Sequence, residues 1–187
     1  MKKFIIAGVL MLLASANASA SFINSITADQ LAGAEITVTF DTGVAETSIF
    51  EISGTEAVAV DASSFSLSLA GDTFGENGEG FWTFASTGIV TSIVIDLLSI
   101  DVVFDPFSGG VDGPSGAGRE FVATIDGLTA EFSNSLFDGE VFNTLSITGT
   151  FADDFLFAVD TDFVPTPAVF SLLMLVLGGL VVRRMKA

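Results

Sequence analysis

The residues able to do chemistry in this chain are almost all carboxylates. Of 187 residues, 23 are Asp or Glu and 6 are Lys or Arg, and there is no His, Cys or Tyr. Without imidazole or thiol there is no zinc site of the usual ligands, no disulfide, no Ser-His-Asp triad and no cysteine nucleophile. Paired carboxylates can run glycoside hydrolysis, and clustered ones bind hard cations. The first has little support here. With 23 acids a suitably spaced pair arises by chance, and Trp82 is the only Trp that could serve as a sugar platform. No catalytic residue is assigned, and no enzymatic activity is expected.

Cation binding has more to stand on. Asp105, Asp112 and Glu120 bracket the Gly-rich stretch Gly109-Gly110-Val111-Asp112-Gly113-Pro114-Ser115-Gly116-Ala117-Gly118. Extracellular modules use such oxygens to hold Ca²⁺ with a Kd of about 10⁻⁴ to 10⁻³ M. Asp153-Asp154 and Asp160-Thr161-Asp162 are further acidic clusters. Neither EF-hand nor nonapeptide spacing is present, and solvated turn chemistry accounts for the same residues without a metal. The cofactor expectation is therefore none, with Ca²⁺ on Asp105, Asp112 and Glu120 as the one metal reading. Arg119 is expected to close an ion pair with a carboxylate such as Asp112 or Glu120, or to anchor an anionic sugar. The glycines do not make a phosphate cradle, because no Lys follows them.

The elements that must position these groups come in three parts, and charge separates them. All 23 acidic residues lie between Asp29 and Asp162. With Arg119 as the one cation among them, the middle carries −22, and the five cations at the two ends bring the chain to −17. A body with one cation is a poor nucleic-acid binder, since that affinity comes from Lys and Arg on phosphates. A hydrophobic content of 50% argues against disorder.

Residues 1–20 read as a secretory signal peptide. Lys2-Lys3 precede the apolar run Phe4 to Leu13, and Ala18 and Ala20 stand at −3 and −1 of a signal-peptidase cut after Ala20. Residues 164–187 read as a membrane tail. The extended hinge Val164-Pro165-Thr166-Pro167 leads into the uncharged run 168–182, and Arg183, Arg184 and Lys186 follow. A helix over 168–182 would be about 22 Å long, short of a hydrocarbon core of about 30 Å, a mismatch met by local thinning and snorkelling cations. Cations held in the cytoplasm put the acidic body outside.

Residues 21–163 predict an exported all-β domain. Ile36, Val38 and Phe40 alternate, as do Phe65, Leu67 and Leu69; Thr91 to Leu97 is apolar on both faces, as in a central strand. Further strands are expected over 47–53, 56–60, 81–85, 100–104, 120–125, 128–133, 141–151 and 154–159, with Gly and Asp at the turns. Roughly ten short strands predict a two-sheet β-sandwich, jelly-roll-like or immunoglobulin-like. Asp126-Gly127 gives the strongest hairpin signal. Seventeen of the 19 Phe fall in this body and are expected to fill its core.

The tail resembles the PEP-CTERM sorting signal of Gram-negative bacteria. The resemblance rests on Val164, Pro165 and Pro167, the apolar run with Gly178-Gly179, and the cluster Arg183-Arg184 with Lys186. The family usually carries Glu between the prolines, where this chain has Thr166. The resemblance implies processing by an exosortase, an inner-membrane enzyme that removes the tail and releases or re-anchors the outer part. It also implies a place at the cell surface or in an extracellular matrix beside exopolysaccharide. The functional expectation is an exported, C-terminally anchored envelope, surface or biofilm-matrix protein with a structural or adhesive role. The alternative is a Ca²⁺-dependent, lectin-like carbohydrate-binding module on the same anchor.

Overall fold

The computed structural model describes residues 26–74, 80–107, 118–136 and 139–164. Residues 1–20, with Ala18 and Ala20, lie outside that range. So do Pro165, Thr166, Pro167, Arg183, Arg184, Lys186 and the run 168–182. Among the described residues no helix is long and apolar enough to cross a membrane.

Apart from a short 3-10 turn at Ala28–Leu31, the described secondary structure is β. In chain order the strands are β1 (Glu35–Phe40), β2 (Ala45–Ile49), β3 (Glu51–Gly54), β4 (Ala57–Asp61), β5 (Phe65–Ala70), β6 (Trp82–Ser86), β7 (Val90–Asp96), β8 (Val102–Asp105), β9 (Val122–Ala123), β10 (Thr129–Ser135), β11 (Phe142–Phe151), β12 (Phe155–Ala158) and β13 (Asp160–Phe163). They form two antiparallel sheets. The first runs β13-β8-β11-β7-β1-β2, with β10 also paired to β11; the second runs β3-β4-β5-β6-β12-β9.

Period-two alternation explains which face β1 and β5 bury. Ile36, Val38 and Phe40 are buried in β1, and Phe65, Leu67 and Leu69 in β5. These side chains belong to one buried apolar cluster fed by both sheets, so the arrangement is sandwich-like. β7 lies between β1 and β11, as its two apolar faces predict.

An aromatic seam occupies the middle of this cluster. Trp82 and Phe84 on β6 stand directly across from Phe157 and Phe155 on β12. The Trp82–Phe157 rings are stacked at 5.4 Å and the Phe84–Phe155 centroids lie at 5.4 Å. Phe151 of β11 joins edge-on at 5.0 Å from Phe155, linking the first sheet to the seam. Such pairs add about 0.5–1.5 kcal/mol each beyond the area they bury.

The chain passes between sheets at well-defined points. β2 and β3, expected as one strand over 47–53, are split at Phe50. Its N–H donates to the Ala34 carbonyl and its carbonyl accepts from the Gly33 N–H, both at 3.0 Å, while its buried ring meets Trp82 at 5.6 Å. That anchorage hands the chain from the first sheet to the second. The Asp126-Gly127 turn does the same and is not a hairpin. β9 before it pairs with β12 in the second sheet, and β10 after it pairs with β11 in the first. The expected strand over 120–125 shrinks to Val122–Ala123. The hairpins lie elsewhere: β1–β2, with Gly43 at φ 78°, β3–β4, with Glu56 at φ 53°, and β4–β5.

Replacing Phe84 by Ala removes a fully buried ring that touches Phe65, Phe151 and Phe155. The expected loss is about 3–5 kcal/mol of unfolding free energy. Urea unfolding followed by the fluorescence of Trp82 measures it; a loss below about 1 kcal/mol would contradict the central place given to this ring.

Candidate metal centre

β13 was not expected as a strand; its residues read as an acidic cluster. The Asp-x-Asp alternation has a structural consequence once the segment is extended. Asp160 and Asp162 then point to one face, and Thr161 to the other. β13 pairs with β8 so that Asp160 lies opposite Asp105 and Asp162 opposite Val103. Directly opposed residues share a face. Asp105, Asp160 and Asp162 therefore converge on the side of the sheet away from Phe104 and the main core.

These carboxylates are not solvated. Asp105 is 2% exposed, and Asp160 and Asp162 are each 1% exposed. One carboxylate oxygen from each lies within 4.8 Å of the others. Ca²⁺ binds its oxygens at about 2.3–2.6 Å, so ligands sharing one ion stand no more than about 5 Å apart. The spacing meets that condition, and the ligands are of the hard type that Ca²⁺ selects.

Local hydrogen bonds fix the geometry. Asp105 Oδ1 accepts from the Phe107 N–H at 3.2 Å, and Asp160 Oδ1 accepts from the Thr161 N–H at 2.8 Å. Gly118 closes over Asp105: a Cβ at this position would overlap both the carbonyl and the carboxyl of Asp105. The Arg119 N–H donates to the Asp105 carbonyl at 3.0 Å, holding the returning chain against β8. Beside Asp162, Val103 and Val141 form a small buried apolar cluster on which Val164 packs. Val164 thus remains part of the sheet's surroundings, with its N–H bonded to the Asp101 carbonyl at 2.9 Å.

Burying acids together disfavours their charged forms. Desolvation pushes the Asp160 carboxyl from 3.8 up to about 8, with the neighbouring Asp162, Asp105 and Asp72 charges adding to the rise and the Thr161 N–H opposing it. The opposite case is Glu46 on β2, which is held below its ordinary value chiefly by the backbone N–H of Ser63, with Ser64 adding.

Of the residues singled out from the sequence, Asp105 is in the cluster. Glu120 is exposed and lines a neighbouring cleft. Asp112 lies outside the described residues. Asp153 and Asp154 are exposed. Asp160 and Asp162, noted only as a separate cluster, supply the other two carboxylates. The signal that joins them to Asp105 is strand alternation on both sides of one ladder. Arg119 donates from Nη1 to the Phe74 carbonyl at 3.2 Å, with its guanidinium 5.1 Å from the Phe81 ring centroid. Comparison with protein-family models, with curated proteins and with solved structures returned no match.

The raised Asp160 value fixes the sign of a pH effect. The neutral carboxyl is favoured in the fold, so its contribution is complete below 3.8 and is lost as the pH rises through about 8. In excess chelator, thermal melting by circular dichroism is expected to show a midpoint that falls across that window. Asp160→Asn is expected to flatten the fall and to stabilise the protein at its alkaline end. A midpoint that is flat in the unsubstituted protein would contradict the assignment.

Proposed function

We propose that this chain is an exported protein displayed from the cell envelope, with a structural or adhesive role at the surface or in the surrounding matrix. The observation that carries this reading is the partition of charge. The 23 acids are confined to the stretch from Asp29 to Asp162, and five of six cations stand beside the apolar runs at the two ends. Lys2-Lys3 with the run to Leu13 is the export address, cut after Ala20 by signal peptidase. The hinge Val164-Pro165-Thr166-Pro167, the run 168–182 and Arg183, Arg184 and Lys186 are the sorting tail, read by an exosortase-type enzyme. The all-β body is the displayed part. Its −22 charge keeps it soluble and apart from anionic polymers unless divalent cations bridge them.

Replacing both Pro165 and Pro167 by Ala tests the tail's role. An epitope placed after Ala187 is expected to be lost from the mature wild-type protein and retained in the double variant. Equal loss in both would count against the sorting role of the hinge.

A second reading gives the displayed body a Ca²⁺-dependent, carbohydrate-binding activity. It is favoured by the three buried carboxylates Asp105, Asp160 and Asp162 and their common spacing. Ca²⁺ at about ten times a millimolar-range Kd would stabilise the fold by about 1.4 kcal/mol. The melting midpoint near neutral pH is therefore expected to rise by a few degrees with Ca²⁺, and the rise to vanish in Asp162→Asn. An unchanged midpoint removes this reading. A glycan array run with and without Ca²⁺ then identifies any sugar bound.

A further inference from the structure

The backbone itself carries a reactive bond that neither reading above uses. Of the four prolines only Pro106 follows an Asp. In an Asp-Pro pair the side-chain carboxylate stands beside the carbonyl of its own residue, and carboxylates serve as nucleophiles in covalent catalysis. Departure is eased because the nitrogen belongs to the pyrrolidine ring and leaves as a basic secondary amine. The fold holds this pair in place. Asp105 ends β8 and is 2% exposed, and Pro106 is buried next to it, lining a cleft of about 500 Å³. The Phe107 N–H donates to Asp105 Oδ1 at 3.2 Å, so the carboxyl spans the 105–106 peptide from the residue before it to the residue after it. The Arg119 N–H donates to the Asp105 carbonyl at 3.0 Å. That oxygen gains charge on attack, and a fixed donor at about 2.7–3.1 Å stabilises such charge. Gly118 permits the approach, because a Cβ there would overlap both the carbonyl and the carboxyl of Asp105.

We propose that the chain cuts its own backbone between Asp105 and Pro106. A carboxylate oxygen of Asp105 bonds to the Asp105 carbonyl carbon and closes a cyclic anhydride. The bond from that carbon to the Pro106 nitrogen breaks, the electron pair stays on nitrogen, and the nitrogen takes a proton from water. The hydroxide left behind adds to the anhydride, which opens to two carboxyl groups. Nucleophile and carbonyl belong to one residue, so no encounter has to be arranged. Water reaches them from the cleft that Pro106 lines. The cut leaves the body assembled and its outer termini unchanged. Among the described strands, β1–β8 fall in the first piece and β9–β13 in the second. The β7–β11, β8–β11, β8–β13 and β6–β12 ladders join the two. The first piece is then held by strand pairing and packing alone, as a releasable part of a displayed protein.

The test keeps the full chain, purified in non-ionic detergent, at neutral pH in excess chelator, where no cation competes for the Asp105 carboxylate. Denaturing mass spectrometry is expected to find one piece ending at Asp105 and one beginning at Pro106. They are expected to form at least about tenfold faster in the folded protein than in guanidinium chloride at the same pH, since one fixed donor to the oxyanion is worth more than that. Hydroxylamine captures anhydrides and is expected to leave a hydroxamate on Asp105, whereas a contaminating protease leaves a plain acid. Asp105→Asn keeps an oxygen for the Phe107 N–H but has no carboxylate, and is expected to give no hydroxamate. Pro106→Ala keeps the carboxylate and is expected to slow the cut; circular dichroism checks that both variants fold. An intact chain, equal rates in the folded and unfolded protein, or pieces that carry no hydroxamate would each overturn the proposal.

Discussion

The contact between β6 and β12 holds the rest of this structure in place. Each sheet alone has one apolar face and cannot keep it from water. Trp82 and Phe84 face Phe157 and Phe155 in register, and Phe151 enters from the first sheet. Large flat rings fill the gap of about 10 Å between packed sheets. The chain has no disulfide, so this burial carries the stability. The same seam explains why the chain changes sheets where it does. Phe50 reaches Trp82 only if β2 ends and β3 begins in the other sheet.

Against that apolar middle, β13 is an anomaly with a physical reading. Its inner face contributes Phe163 and Thr161 toward the core, while its outer face carries two buried acids beside a third on β8. Three carboxylates gathered out of water are unfavourable unless protons or a cation offset their repulsion. Asp105 also ties this centre to the cleft lined by Phe107, Phe121, Phe132 and Phe142, because its Oδ1 holds the Phe107 N–H. The two features are one local construction at the end of β8, closed by Gly118.

Much of the β framework was legible from alternation. The alternating residues Ile36, Val38, Phe40 and Phe65, Leu67, Leu69 are the buried faces of β1 and β5, while β7, β11 and β12 fall within a residue of their expected spans although β11 buries Asn143, Thr144 and Leu145 in succession. Phe50 was not legible as a crossing point. It reads as one more strand residue, and only its bonds to Gly33 and Ala34 set it apart. Asp126-Gly127 misled because turn chemistry fixes a local bend and says nothing about which strand each arm will pair with. The acidic centre was half legible. Asp105 stands out in the sequence for its place beside the glycines, and Asp160-Thr161-Asp162 for its charge. Their meeting depends on the β8–β13 ladder, a pairing between segments more than fifty residues apart. Local sequence does not encode such a pairing.

The oily, cation-flanked ends are proposed to be addresses, and the acidic β body the part they deliver. Mass spectrometry of the protein recovered from the envelope or the medium, reading both termini at once, tests it most directly. The expected result is a chain beginning at Ser21 and ending near the Val164-Pro165-Thr166-Pro167 hinge, without the run 168–182. Recovery of the polypeptide from the cytosol with Met1 and Ala187 both in place would contradict it.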